Sequence, residues 1–357
     1  MSCYKGKKLT VDVFGSSHGD NVGVRIKGLP DTDIDEAFIK AFLNRRRPKS
    51  KLSTARVEDD SLVITRDGDG VVITIKNGDV RSSDYGDLYG KPRPSHADYS
   101  AYLKDGTLDF AGGGRFSGRM TAPLVAAGAL CVKFLETHGI KIAAYVSAAG
   151  SVFARSYADG EPSVAEIEKT RGDTVPSLDK SDEIAAEISS AIEMGDSVGG
   201  QIECVAEGRL ACLGNDLFDG LESKISALVF AIPAVKAVEF GLGTGFKDKR
   251  ASTVNDQMFF DGDEVAFSSN NAGGICGGIA DGRRITFRVT FKPTPSIAIP
   301  QRTVDLVNNT DCVIKASGRH DGCIVLRAVP AVESAVAIAL TDEILNTFCL
   351  QGQTKSR

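Results

Sequence analysis

Apolar and polar residues alternate from Leu9 to Phe14, predicting a strand that delivers Gly15-Ser16-Ser17-His18-Gly19 at its end, and Val22 to Ile26 alternates again. Between Asp33 and Arg47 the apolar residues Ile34, Phe38, Ile39, Phe42 and Leu43 recur at helical spacing, so a helix with one buried face is expected there, stopped by Pro48. Ser61 to Lys76 reads as two strands around an Asp67-Gly68-Asp69-Gly70 turn. Thr121 to His138 is an apolar-rich helix closed by Gly139, Ser181 opens an amphipathic helix with a good N-cap, and a further helix runs from about Asp216 to Phe230. Arg284 to Phe291 alternates as a strand. The last helix, about Ala331 to Leu350, is apolar on most faces and belongs in a core or a subunit interface. Between these elements, Arg81 to Tyr102 reads as a long working loop, 150–180 as an exposed connector, and Lys247 to Ser296 begins glycine- and polar-rich.

The segment Gly19-Asp20-Asn21-Val22-Gly23-Val24-Arg25-Ile26 is echoed by Gly195-Asp196-Ser197-Val198-Gly199-Gly200-Gln201-Ile202, each leading into a strand and then a helix. The echo suggests a pseudo-twofold within a single domain spanning 1–357, built as two intertwined lobes at roughly 1–150 and 151–350.

Composition narrows the function classes. Apolar content of 42% and charged content of 25% are ordinary for a globular chain, and a net charge of −5 gives no global field toward nucleic acid or anionic membrane. The eight cysteines contain no C-x-x-C pair, so reduced thiols in a cytoplasmic setting are expected. The N-terminal residues lack the apolar core of a secretory signal, which supports the same compartment. Walker A, H-E-x-x-H and G-x-S-x-G are absent, which leaves NTPase, metallohydrolase and classical hydrolase readings unsupported; no metal is expected.

Chemistry-bearing residues gather in four short polar segments: Ser17-His18; Arg93-Pro94-Ser95-His96-Ala97-Asp98; Gly112-Gly113-Gly114-Arg115-Phe116-Ser117-Gly118-Arg119; and Gly318-Arg319-His320-Asp321. Three of the four histidines lie in them, and histidine exchanges protons near neutral pH, so His18 and His96 are the acid candidates. His138 reads instead as a helix-terminal cation. In extended chain alternate side chains share a face, which pairs His96 with Asp98 and Arg319 with Asp321 as a positioned base. The three glycines before a helix could cradle a phosphate, although plain turns share that pattern. Arg45, Arg46, Arg47, Arg56, Arg93, Arg115, Arg119 and Arg319 would, if convergent, clamp a ligand bearing phosphate or several carboxylates.

These segments, together with Gly15-Ser16-Ser17-His18-Gly19, Arg45-Arg46-Arg47-Pro48, Arg81-Ser82-Ser83-Asp84-Tyr85, Gly195-Asp196-Ser197-Val198-Gly199, Asn271-Ala272-Gly273-Gly274-Ile275 and Phe291-Lys292-Pro293-Thr294, occur in an order and spacing that resembles the chorismate synthase family, from about Thr10 to Leu345. Ser16, Ser95, Phe116 and Gly322 depart from its usual Glu, Gly, Ser and Pro. The resemblance implies an α+β fold, a β-α-β sandwich with a helical layer between antiparallel sheets. It also implies a lyase that converts 5-enolpyruvylshikimate 3-phosphate to chorismate and phosphate by 1,4-anti elimination, the last step of the shikimate pathway in aromatic amino acid biosynthesis.

The same resemblance implies reduced FMN as cofactor, reduced by an external source with NADP associated, and a homotetramer whose flavin site lies near a subunit interface. By position, His18 matches the acid for the departing phosphate, His96 the acid beside the reduced flavin, and Asp321 the carboxylate acting with the flavin in removing the ring hydrogen. Ser17, Arg47, Arg56, Arg93, Arg119 and Arg319 match the substrate clamp. Arg115, Ser117, Gly118, Lys292, Thr294 and Ser296 match flavin contacts, and Arg250, Ala251 and Asn255 a segment reaching a neighbour's flavin. The competing readings are a non-catalytic flavin- or anion-binding protein on the same scaffold and an RNA-binding module using Arg45 to Arg56. The second lacks interleaved aromatics in an acidic chain.

Overall fold

A computed structural model describes residues 2–30, 34–47, 49–54, 58–78, 88–110, 112–316 and 321–354, the last seven as backbone only. Two five-stranded antiparallel sheets enclose a helical layer. The first contains β1 (Ser2–Lys5), β2 (Thr10–Gly15), β3 (Asn21–Lys27), β4 (Leu62–Asp67) and β5 (Gly70–Lys76), in the order β1-β2-β3-β5-β4. The second contains β6 (Ile140–Ala149), β7 (Val152–Phe153), β8 (Gly200–Gly208), β9 (Val235–Phe240) and β14 (Ile285–Phe291), in the order β7-β6-β8-β14-β9. Ribbons β10–β11 (Met258–Asp261 and Glu264–Phe267), β12–β13 (Ile275–Cys276 and Ile279–Ala280) and β15–β16 (Gln301–Asp305 and Thr310–Ile314) flank them.

Helices α1 (Glu36–Asn44), α3 (Thr121–Thr137), α6 (Leu221–Val229) and α8 (Val325–Thr354) form the middle layer, while α2 (Asp98–Asp105), α4 (Val164–Glu168), α5 (Ser181–Glu193) and α7 (Ala251–Val254) lie in the connections. The order β2-β3-α1-β4-β5-α3 is repeated as β6-β8-α6-β9-β14-α8, with the same neighbours in each sheet. The echoed segments lead into β3 and β8, the equivalent second strands.

The pairing of α3 with α8 is the spine of the molecule. Gly128 is where they meet: a Cβ there would lie 2.2 Å from the Ser334 side chain. The α3 segment Gly118–Thr137 is long and apolar enough by composition to cross a membrane, yet it is 78% buried inside the fold, as a core helix is. Three buried carboxylates tie α8 to its surroundings. Glu333 receives both Arg45 guanidinium nitrogens (2.5 and 2.8 Å) and the Ala144 amide (2.9 Å). Asp342 accepts the amides of Lys7, Lys8 and Leu9 (2.9, 2.7 and 2.8 Å), and Glu343 takes Lys224. Charges buried this deeply persist because each is paired or hydrogen-bonded.

Several expectations are corrected. Segment 150–180 is not an exposed connector: Tyr157, Val164 and Ile167 are buried, and α4 covers the outer face of the second sheet against Ala143, Tyr145 and Val205. Part of the working loop is helical, as α2. The cap of α5 is Lys180, with no side-chain cap bond, because the Ser181 hydroxyl donates backwards to the Val175 carbonyl (2.9 Å). The last helix begins at Val325, six residues early, because Pro330 is accommodated inside it.

Candidate active site

The N-terminal ends of both central helices open on one cleft of about 790 Å3. It gathers the β2–β3 turn, the end of α1, the loop before α2, the glycine loop before α3, the end of β14 and the residues preceding α8. Of the residues named from sequence, His18, Arg47, Arg93, His96, Arg115, Ser117, Gly118, Arg119, Lys292, Thr294, Ser296 and Asp321 line it. Ser17 is buried beneath them, its amide donating to the Gly114 carbonyl (3.4 Å). Arg250, Ala251 and Asn255 are exposed and outside the lining, while Arg56, Arg319 and the Arg81–Tyr85 motif lie outside the described residues.

The glycine loop is shaped by its neighbour. Gly112 has φ +63°, and a Cβ on it would sit 1.9 Å from His18 Nε2, so the missing side chain is the space the imidazole occupies. Two short 3-10 turns follow, Gly114–Phe116 and Gly118–Met120, and the Ser117 hydroxyl caps the second by accepting the Arg119 amide (3.2 Å). The loop thus spends part of its amide supply on itself.

His96 is oriented by a carboxylate. Its Nδ1 lies 2.5 Å from Asp98 Oδ1, and Arg93 clamps the same carboxylate through Nε and Nη2 (2.8 and 2.9 Å). Burial alone would raise Asp98, but the hydrogen bonds from His96 and Arg93 outweigh it and hold the carboxyl down to about 2. An ionised Asp98 only accepts, so Nδ1 carries hydrogen and Nε2 is left as the working nitrogen. Arg93, expected in the substrate clamp, also donates to the Gly112 carbonyl (2.6 Å) and is engaged within the protein. The predicted His96–Asp98 pairing holds, through a turn into α2 rather than along an extended strand.

The floor of the cleft carries more cations than anions. Arg119 pairs with Asp60 and donates to Asn77 Oδ1 (3.0 Å), and Arg327 pairs with Asp321 (3.1 Å). Arg46 is buried and, among the described residues, donates only to the Thr121 hydroxyl (3.0 Å) and the Gly118 carbonyl (3.1 Å). Burial first, then the neighbouring Arg327, push its pKa well below the usual guanidinium range. A buried cation in that position is stabilised by any anion that enters. Arg47, at the rim, donates to the Asp59 carbonyl, and Arg45 serves Glu333 instead of the cleft.

Sequence reasoning missed Asp60, Thr54 and Arg327, and singled out Arg47 rather than Arg46 for the clamp. A signal for Arg327 existed: it is the lone charge between Cys323 and Val332 in an otherwise apolar helix start.

The family model described as chorismate synthase matches residues 9–345. The chain belongs to the chorismate synthase family. A chorismate synthase from Thermococcus gammatolerans is 40% identical over 98% of this chain and 99% of its own length, and one from Pyrococcus abyssi is 41% identical over 96% and 97%. A solved structure titled Crystal Structure of Chorismate Synthase matches with a TM-score of 0.74 at 26% identity, covering 96% of this chain and 93% of that one. The expected α+β sandwich is therefore the fold of the family.

The residues present fit the flavin that the family implies. The cleft lining includes the apolar Phe116, Phe230, Ile232, Pro233 and Ile324 as well as its charged residues. At the end of β14 the Thr294 hydroxyl is buried without a partner among the described residues. Beside it, burial and then Lys236 lower the pKa of Lys292. An orphaned donor and a disfavoured cation are what an anionic, hydrogen-bonding cofactor would satisfy.

Proposed function

We infer that this cleft converts 5-enolpyruvylshikimate 3-phosphate to chorismate and phosphate. The observation that carries the reading is the buried Arg46, in direct ion-pair contact with no carboxylate among the described residues, in one cleft with His18, His96 and Asp321, in a chain of net charge −5. A substrate with a phosphate and two carboxylates requires concentrated cations where water is scarce, and Arg46 and Arg119 supply them. Arg47 and Ser17 are assigned to the same clamp by their match to the family, as are Arg56 and Arg319, which lie outside the described residues.

In the elimination a ring C–H bond and the C–O bond to phosphate break while the ring gains a double bond. His18, packed against Gly112, donates a proton to the departing phosphate oxygen. Asp321 takes up the proton that the ring gives away. His96 holds a proton on Nε2 toward the cofactor, fixed by Asp98 at Nδ1. Reduced FMN, when bound, supplies the transient electron density that lets a non-acidic hydrogen leave without net oxidation. Arg115, Ser117, Gly118, Lys292, Thr294 and Ser296 would hold it.

The domain reading of two intertwined lobes is supported by the repeated strand order. Exposure of Arg250, Ala251 and Asn255 outside their own cleft supports a homotetramer in which they complete a neighbour's flavin site, in a cytoplasmic enzyme supplied with FMN reduced elsewhere. Anaerobic incubation with reduced FMN and substrate tests the function. Equimolar phosphate and chorismate are expected, and binding without either product would leave only the flavin- and anion-binding alternative.

A further inference from the structure

We propose that Arg327 is the positioning residue for Asp321, fixing the carboxylate so that Oδ2 is the atom that receives the proton. The proposal rests on the catalytic reading of Asp321 above. Among the described residues two groups hold this carboxylate. Oδ1 accepts the Thr54 amide (2.9 Å) and Arg327 Nη1 (3.2 Å), whereas Oδ2 accepts, among the described residues, only Arg327 Nη1 (3.1 Å). Oδ1 therefore has both lone pairs engaged, and Oδ2 keeps one for a proton from the cleft.

The contact, itself part-buried, differs from the forked arginine–carboxylate pairs of this chain. Arg93 and Arg45 each grip their partners through two nitrogens, Asp98 and Glu333 respectively, and so close them. Arg327 chelates both oxygens with one nitrogen, and its Nε is buried without a partner among the described residues. A single-nitrogen chelate sets the plane of the carboxylate while using little of its acceptor capacity. Arg327 is itself confined. It sits in the first turn of α8 with its amide on the Ile324 carbonyl (3.1 Å), and Arg46 nearby repels it from the rest of the floor. Misorientation of a proton acceptor by a fraction of an ångström to one ångström costs catalysis without costing affinity.

The test is anaerobic steady-state turnover with reduced FMN and substrate for Arg327→Met, Arg327→Lys, Asp321→Asn and the double variant Arg327→Met/Asp321→Asn, with FMN dissociation constants and melting temperatures measured alongside. Arg327→Met should lower kcat by about 100-fold with KM and FMN affinity within about twofold. Arg327→Lys should recover part of the rate, and Arg327→Met should add less than about twofold to Asp321→Asn, since a positioning residue has nothing left to position. A raised KM with kcat retained would make Arg327 a substrate-binding cation and overturn the proposal. Multiplying effects in the double variant, or a loss that tracks melting temperature and FMN affinity, would overturn it too. If Arg327→Met does not fold, the same comparison with Arg327→Lys decides. Full turnover by Asp321→Asn would remove the catalytic reading itself; a dead Asp321→Asn beside an unaffected Arg327→Met would remove only the positioning role.

Discussion

The molecule buries two arginine–carboxylate networks of similar depth and opposite character. On the outer face of the second sheet, Glu203 is fully buried and receives Arg288 Nε and Nη2 (2.8 and 2.6 Å), the Tyr145 and Ser156 hydroxyls (2.5 and 2.8 Å) and the Tyr157 amide (2.8 Å). Every acceptor position is filled and the charges balance. Among the described residues, the lining of the cleft instead holds six arginines and two lysines against three carboxylates, Glu58, Asp60 and Asp321. Burial and ion pairing alone do not mark a site. An unbalanced charge does, because something outside the chain must complete it.

The two halves differ in the same way at equivalent hairpins. Between β2 and β3 lies a short turn carrying Ser17 and His18; between β6 and β8 the chain inserts β7, α4 and α5, which cover a sheet face. One strand order is used once for chemistry and once for support.

The largest expected effects sharpen this contrast. His18→Ala and His96→Ala should each lower anaerobic kcat by about 100- to 1,000-fold with the melting temperature little changed. A full rate in either variant would withdraw its role. Glu203→Gln should do the reverse: it leaves Arg288 buried without its counter-charge and should cost about 3 kcal/mol in denaturant unfolding, with substrate affinity retained. Loss of substrate affinity there would break the distinction between the networks. Arg46→Met should weaken substrate binding by about 10- to 100-fold, as expected for a lost charged hydrogen bond, without lowering stability. Titration calorimetry and melting on the same sample would expose the opposite pattern.

The smallest effect concerns Asp98. Its folded carboxyl is held to about 2 against an ordinary value of 3.8, so its contribution is present above about pH 4 and lost as pH falls toward 2. That is roughly 2 kcal/mol. Asp98→Asn should flatten the acid-unfolding curve in that window, and an unchanged curve would show that the Arg93–His96 clamp adds nothing.

What the sequence revealed follows from burial. The hairpin β4–β5, strands β2, β3 and β14 and helices α1 and α3 were legible because alternation or helical spacing survives when one face is buried or a breaker bounds the run. Strand β6 was not singled out, and β8 was expected only as the strand that follows the echoed segment at Gly195. Ile142, Ala144 and Val146 face the helical layer while Ala143 and Tyr145 face α4, so both faces are buried and the alternation vanishes. The 150–180 stretch looked exposed because its serines, glycines and prolines outnumber the few apolar anchors that dock it. Within the site, His18, His96 and Asp321 were visible by residue type, and they line one cleft. Arg327 was hidden because its partner, six residues earlier, meets it only where the chain turns into α8. Arg46 could not be separated from Arg45 and Arg47 until the end of α1 sent one to Glu333, one to the floor and one to the rim.

Single-turnover phosphate release by Asp321→Asn, with reduced FMN and substrate both bound under anaerobic conditions, tests the central claim most directly. The account predicts near-normal binding of both ligands and phosphate release slowed by at least about 100-fold. Release at the wild-type rate would show that the cleft does not use this carboxylate, and that its chemistry has been misassigned.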